Sequence, residues 1–218
     1  DIVAVFNHKS DWDKNHKLLR RADVAIDFSE PDAVVSNIKT CFSNSLAIVV
    51  GTTAWDDFLL QIKKQCLNEN QSLIYAPNFS IGVNILFSLN RYLAKIMNTH
   101  ENYNTWINEM HHIQKKDAPS GTAIKLGEDI LKSMDRYKKW EHGPAKNISG
   151  SSLSIDSIRK GQVKGIHEVH YQSYADEITL THKAFNRTGF AKGALLAAEF
   201  ISSHRGFFEF KDILNIDI

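Results

Sequence analysis

The sequence predicts an α/β protein. It reads as a parallel sheet with crossover helices, followed by an α+β region built on an antiparallel or mixed sheet. Three observations carry this. Residues 23 to 77 alternate short β-branched runs with amphipathic helical stretches, the rhythm of βαβ units. After residue 80 the rhythm changes to long helical patterns and period-two segments, which suit strands with one face on a core. The composition, 43% hydrophobic and 23% charged over 218 residues, is that of a chain with a packed core. A net charge of +1 supplies no basic field for nucleic acid. No apolar run approaches the ~18 residues of a membrane span.

The elements follow in order. "DIVAVF" at residues 1 to 6 and "DVAIDF" at 23 to 28 read as strands. In "SEPDAVVSNIKTCF", Ser29 suits an N-cap, Pro31 the first turn and Asp32 the positive helix end. Val34, Ile38, Cys41 and Phe42 recur there at helical spacing. "LAIVVGTT" is a strand ending at Gly51. "WDDFLLQIKKQCL" is a helix with Trp55, Phe58, Leu59, Ile62 and Cys66 on one face, and "SLIYAP" is a strand stopped by Pro77. Cys41 and Cys66 are expected as buried free thiols, which suits a reducing, cytoplasmic setting. Ligands of such sheets sit beyond the carboxyl ends of the strands. Those ends are Asn7 to Lys9, Phe28 with Ser29, Gly51 to Thr53, and Ala76 to Phe79.

In the second region "VNILFSLNRYLAKIM" is a long helix with Leu86, Leu89, Leu93 and Ile96 in register, and "YNTWINEMHH" alternates like a strand. A helix beginning near Ser120 carries Ile124, Gly127, Ile130, Leu131 and Met134 on one side. Residues 135 to 150 read as a surface loop. "SLSIDSIRKG", "GIHEVHYQS" and "EITLTHKAF" look antiparallel, and a last helix, "GFAKGALLAAEFISSH", stops at Gly206, a C′ residue. Two domains are expected: 1–80 with 189–218, and 81–188.

The stretch "EMHHIQKKDAPSGTA", residues 109 to 123, concentrates proton carriers and anion binders. In a strand Ile107, Glu109 and His111 share one face. Histidine titrates near neutral pH and serves as a general acid. Lys115 adds a positive charge that attracts an anion. Ser120, Gly121 and Thr122 open a helix whose free N–H groups suit a carboxylate or phosphate, and Gly121 allows close approach to the backbone. Each part also has a plain reading: a surface histidine pair, a solvated lysine pair, a helix cap. A metal site is not expected, because period-two alternation separates His167 from His170 and no cysteine cluster accompanies them.

As a whole, "E-x-HH-x-x-K-x-DAPSGTA" resembles the signature of the dihydrodipicolinate reductase family. "AIDFSEP", "VVGTT" and "APNFSIGVN" resemble its nucleotide loops. "IRKGQVKGIHEV" and "EITLTHKAFNRTGFAKGA" resemble its substrate-domain strands and returning helix. The resemblance spans nearly the entire chain. One departure is that nothing here corresponds to the family's opening strand and glycine-rich turn. Asp1 falls at its second strand, so an N-terminally truncated Rossmann-like domain is expected, short by about one strand–turn–helix unit.

The resemblance implies a Rossmann-like domain and a substrate domain that also builds a homotetramer. It implies reduction by NADH or NADPH of a small dicarboxylic acid, 4-hydroxy-tetrahydrodipicolinate, in lysine and diaminopimelate biosynthesis. His111 would donate the proton with Lys115 as its partner. His112, Lys115, Ser120, Gly121, Thr122 and Arg159 would hold the carboxylates. Phe28, Ser29, Gly51, Thr52, Thr53, Ala76, Pro77, Asn78 and Phe79 would line the nucleotide. His8 and Lys9 stand where an acid would bind the ribose of NAD, so a 2′-phosphate is tolerated. Two rival readings are a family member that assembles without turnover, separable by nucleotide titration, and a related enzyme such as aspartate dehydrogenase. The uninterrupted "DAPSGTA" argues against the second, and an assay with both substrates decides.

Overall fold

The computed structural model describes residues 1–147 and 150–214, apart from the side chains of Lys9, Asp13, Lys14 and Asn147. Among the described residues the chain forms two compact units, one of residues 1–79 with 190–214, the other of residues 80–189.

The first unit opens with a short helix α1 (Lys9–Asn15). It continues through β1 (Val24–Asp27), α2 (Pro31–Ser43), β2 (Ala47–Val50), α3 (Asp56–Asn68) and β3 (Ser72–Tyr75). The alternating pattern is realised as a parallel sheet whose β2 and β3 are buried on both faces. Ile48, Val50 and Leu73 face α2 and α3, meeting Val34, Ile38, Cys41, Ile62 and Cys66. Ala47, Val49 and Ile74 face the other way. This is why the strands read as continuous apolar runs. Both cysteines are buried and free.

The second unit comprises α4 (Ile81–Met97), β4 (Asn104–His111), α5 (Gly121–Ser133), β5 (Lys139–His142), β6 (Ser152–Arg159), β7 (Ile166–Gln172) and β8 (Glu177–Lys183). Its sheet has the order β5-β6-β4-β7-β8. One face packs Ile107, Leu153, Ile155, Val169 and Tyr171 against α4 and α5. Helix α6 (Thr188–Ile201) then returns to the first unit, and β9 (Gly206–Glu209) completes the order β1-β2-β3-β9. Ala194, Ala197 and Ile201 of α6 cover the second face of that sheet.

Several expectations need correction. Residues 1 to 6 form no strand, and Ile2 and Val5 are exposed. A strand exists only in a ladder, and among the described residues β1 pairs with β2 alone. Ser29 is not the N-cap of α2. That position is Glu30, because Ser29 is drawn back onto Asp27. Phe58 is exposed, and the buried side of α3 is Ile62 and Cys66. On α4 the buried face is Val83, Leu86, Phe87, Asn90, Ala94 and Met97, which leaves Leu89 and Ile96 outside. Buried Asn90 donates to the Leu126 carbonyl at 3.0 Å, so a polar residue holds the inner face and defeats an apolar count.

Residues 135 to 150 are not all loop, since β5 lies within them and pairs with β6. β6 runs parallel to β4, while β7 is antiparallel to both β4 and β8, so the sheet is mixed. The last helix stops at Ile201. Gly206 opens β9, a four-residue strand beside β3 that is too short for a pattern to announce.

Candidate functional site

The end of β4 and the start of α5 form the candidate site in the second unit. Alternation along β4 puts Thr105, Ile107, Glu109 and His111 on the buried face. The first two meet the core. Glu109 and His111 continue that row to the strand end, where α5 begins. Ser120 caps the helix, its Oγ accepting from the Ala123 N–H at 3.3 Å. Its own N–H donates to Glu109 Oε1 at 3.2 Å. The strand ends at His111, so His112 starts the loop that carries Lys115.

Glu109 is the centre of the cluster. Its side chain has no exposed surface, and Oε2 contacts His111 Nδ1. Oε1 accepts from Arg159 Nη2 at 2.9 Å. Burial alone would raise its carboxyl, but the bonds from His111 and Arg159 outweigh it and bring the value down to about 2. His167 lies directly across the β4–β7 ladder from Glu109. Its Nε2 is 3.2 Å from Ser120 Oγ, and its ring meets that of His111 edge-on at 5.1 Å. Burial first, then the neighbouring His111, pushes His167 down to about 3, so it is neutral at physiological pH. Gly165 sits beside His111, where an added Cβ would lie 3.2 Å from Nε2, and its φ of +152° is one that side chains rarely adopt.

Arg159 is not a free cation. It also donates to the carbonyls of Asp117 at 2.6 Å and Lys115 at 3.3 Å. Lys115 Nζ holds the half-exposed carboxylate of Asp117 at 2.8 Å. An anionic ligand would exchange with that partner at little cost, because the pair is solvated. Gly121, at the first position of α5, has no atom within 4 Å of a would-be Cβ, so the helix start is open to a ligand there.

Glu109, His111 and His167 bring metal-ligand atoms within 4.8 Å of one another. Arg159 already holds one oxygen of the Glu109 carboxylate at 2.9 Å, a fixed positive charge that opposes a cation beside it.

In the first unit Asp27 organises the strand-end loops. Its Oδ1 accepts from the Ser29 N–H at 3.0 Å, Ser29 Oγ at 2.8 Å and Thr52 Oγ1 at 2.7 Å, and Oδ2 accepts from Asn37 at 2.8 Å. A recess of about 180 Å³ lies there, lined by Phe28, Ser29, Pro31, Gly51, Thr52 and Thr53. Three of the residues read as nucleotide-lining are core at the side-chain level. Thr52 is spent on Asp27, while Ala76 and Phe79 are buried, the latter against Phe28 and Phe210. What they offer a ligand is backbone. His8 is the exposed N-cap residue of α1, and the Lys9 side chain lies outside the described residues.

A family model described as dihydrodipicolinate reductase, C-terminus, matches residues 82–214, and one described as dihydrodipicolinate reductase, N-terminus, matches residues 4–79. The chain belongs to this family. It is 44% identical over 193 residues to the 4-hydroxy-tetrahydrodipicolinate reductase of Christiangramia forsetii, covering 88% of this chain and 80% of that one. It is 33% identical over 203 residues to the enzyme of the same name from Laribacter hongkongensis, covering 91% and 75%. The dipicolinate-bound dihydrodipicolinate reductase from Paenisporosarcina sp. TG-14 has the same fold, with a TM-score of 0.77 at 24% identity over 98% of this chain and 82% of that one.

Within this family member, Glu109, His167, Gly165 and Asp27 are the residues that sequence reasoning left without a role. Glu109 was signalled by its period-two spacing to His111. His167 was not, because only the ladder brings it 58 positions back along the chain to face Glu109.

The cluster makes the fold acid-sensitive. Both folded values lie below the unfolded ones of 4.5 for Glu109 and 6.5 for His167, so on acidification the unfolded chain takes up protons first. The contribution of His167 is complete above about 6.5 and is lost as pH falls toward about 3. That of Glu109 is complete above about 4.5 and is lost toward about 2. The thermal midpoint is expected to fall steadily below pH 6.5. In His167→Gln the upper part of that decline should flatten, and an unchanged slope between the two unfolded values would show that His167 does not titrate as a buried neutral group.

Proposed function

We propose that the chain reduces 4-hydroxy-tetrahydrodipicolinate with NAD(P)H. His111 is the proton donor, and the carboxylates are held by His112, Lys115, Ser120, Gly121 and Thr122. The observation that carries this is the shared carboxylate of Glu109. It contacts His111 Nδ1 and the Ser120 N–H at once, so a proton carrier and an anion-binding helix start stand side by side. Membership of a family whose relatives carry the reductase name supports the same reaction.

The nucleotide supplies the hydride when bound. The chain's residues do the rest. Lys115 and the N–H groups that open α5 orient the carboxylates through charge-assisted bonds, each contributing ~1.5–3 kcal/mol. His111 delivers a proton from Nε2 to the ring system as negative charge develops on it. Nucleotide binding is assigned to residues 1–80 with 189–218, where the recess at the ends of β1 and β2 fits a polar ligand edge. Substrate binding and assembly are assigned to 81–188. An edge strand, β8, with Ile178 exposed supports association through this unit, and we assign a homotetramer in the cytoplasm, read by sedimentation and by fractionation.

The decisive experiment follows loss of reduced nicotinamide absorbance with substrate formed in situ from pyruvate and aspartate semialdehyde. Turnover is expected with that substrate and none with oxaloacetate plus ammonia. The reverse result would replace this reading with an amino-acid dehydrogenase. For the nucleotide, His8→Ala is expected to weaken NADPH more than NADH, and equal losses in titration would remove His8 from contact with a 2′-phosphate.

A further inference from the structure

We infer that Glu109 and Arg159 form a positioning pair that fixes which nitrogen of His111 faces the substrate and locks the Lys115 loop beside it. The inference rests on the reading of His111 as the proton donor and deepens it. A carboxylate with no exposed surface is costly unless every lone pair is used. Here Oε1 receives two groups that can only donate, the Ser120 N–H and the Arg159 guanidinium. Oε2 faces His111 Nδ1, and the hydroxyl of Ser157, the register partner of Glu109 on β6, also lowers the carboxyl.

An ionised carboxylate accepts and does not donate, so Nδ1 carries a hydrogen and the ring cannot turn over without breaking that contact. Nε2 is thereby the nitrogen that exchanges a proton with the substrate. The neighbouring structure agrees, because the missing side chain of Gly165 leaves space next to Nε2 and not next to Nδ1. Orientation of an imidazole through its other nitrogen is a general way of fixing its tautomer.

Arg159 joins this to the second half of the site. The guanidinium that neutralises Glu109 also holds the carbonyls of Lys115 and Asp117. His111 and Arg159 are register partners on the adjacent parallel strands β4 and β6. One side chain therefore ties the strand end bearing the proton donor to the loop bearing the ammonium. Its Nη2 is committed to Glu109 and Asp117, so a substrate carboxylate could take it only by uncovering a buried anion. Arg159, expected from the family resemblance to grip substrate, is better explained as the counter-ion that holds Glu109 in place.

Glu109→Gln tests the pair. The amide oxygen must stay with the two fixed donors, which turns the NH₂ toward Nδ1 and makes that nitrogen an acceptor. The proton is then confined to Nε2, and the doubly protonated ring is disfavoured. We expect kcat to fall by about 10²-fold while pyridine-2,6-dicarboxylate affinity stays nearly unchanged. Ring-nitrogen NMR should show a protonated His111 Nδ1 in the wild-type chain and a bare one in the variant. Arg159→Lys, which keeps the charge, should retain more kcat than Arg159→Ala. A bare Nδ1 in the wild-type chain, or normal kcat in Glu109→Gln, would overturn the inference. The wild-type NMR measurement needs no variant to fold. If the wild-type chain shows no turnover, the reaction reading fails, and the state of Nδ1 alone decides the positioning pair: protonated supports it, bare refutes it.

Discussion

Replacing His111 with glutamine is expected to lower kcat by about 10²–10⁴-fold, the range that general acid catalysis contributes. Glutamine occupies a similar volume and can still bond to Glu109 through its amide. It has no proton to give near neutral pH. The nucleotide loops belong to the other unit and are held by Asp27, so KM for NAD(P)H should barely move. Dicarboxylate binding should fall little, because the groups that open α5 and Lys115 remain. Steady-state kinetics with both substrates varied separates these effects. A His111→Gln enzyme with near-normal kcat would take His111 out of the mechanism, and a selective rise in dicarboxylate KM would make it a binding residue.

Why His111 could be picked out from sequence, and its surroundings only in part, follows from range. The row Ile107, Glu109, His111 is local, and period two alone places all three on one face. Ser120 as helix cap is likewise a three-residue matter. Arg159 reaches the Glu109 carboxylate from β6, and His167 stands across the ladder from it on β7, strands that flank β4 on opposite sides. Their arrival depends on strand order, because β4 lies between β6 and β7, which follow one another in the sequence. The α4 face was misjudged for a related reason. Asn90 is buried because a carbonyl from α5 awaits it, and no feature of the α4 sequence announces that partner. Where one polar side chain is satisfied across a distant contact, the apolar pattern loses its phase.

Replacing Gly193 with alanine should destabilise the first unit by about 3 kcal/mol or more, at the upper end of overpacking costs. Alanine is normally the better helix former by ~1 kcal/mol, so local propensity predicts the opposite sign. The close approach of α6 to the end of the parallel sheet decides otherwise. A Cβ on Gly193 would lie 1.7 Å from the Phe79 carbonyl oxygen, 2.8 Å from its carbon and 3.1 Å from the Phe210 ring. Two of those atoms are backbone, and the Phe79 ring is itself buried against Phe210 with centroids 5.0 Å apart. Neither side can yield by turning a side chain. Either α6 lifts from Ala47, Val49 and Ile74, exposing the core it shares with them, or the segment Ala76 to Phe79 shifts. The second route displaces backbone read as nucleotide-lining, so NAD(P)H affinity should fall along with stability. Gly121→Ala is the control, because nothing lies within 4 Å of its added methyl. There stability should hold or rise by about 0.5–1 kcal/mol. Denaturant unfolding of both variants measures the contrast. Equal stabilities would mean that α6 does not press on Phe79, and the glycine would then owe its place to something other than this contact.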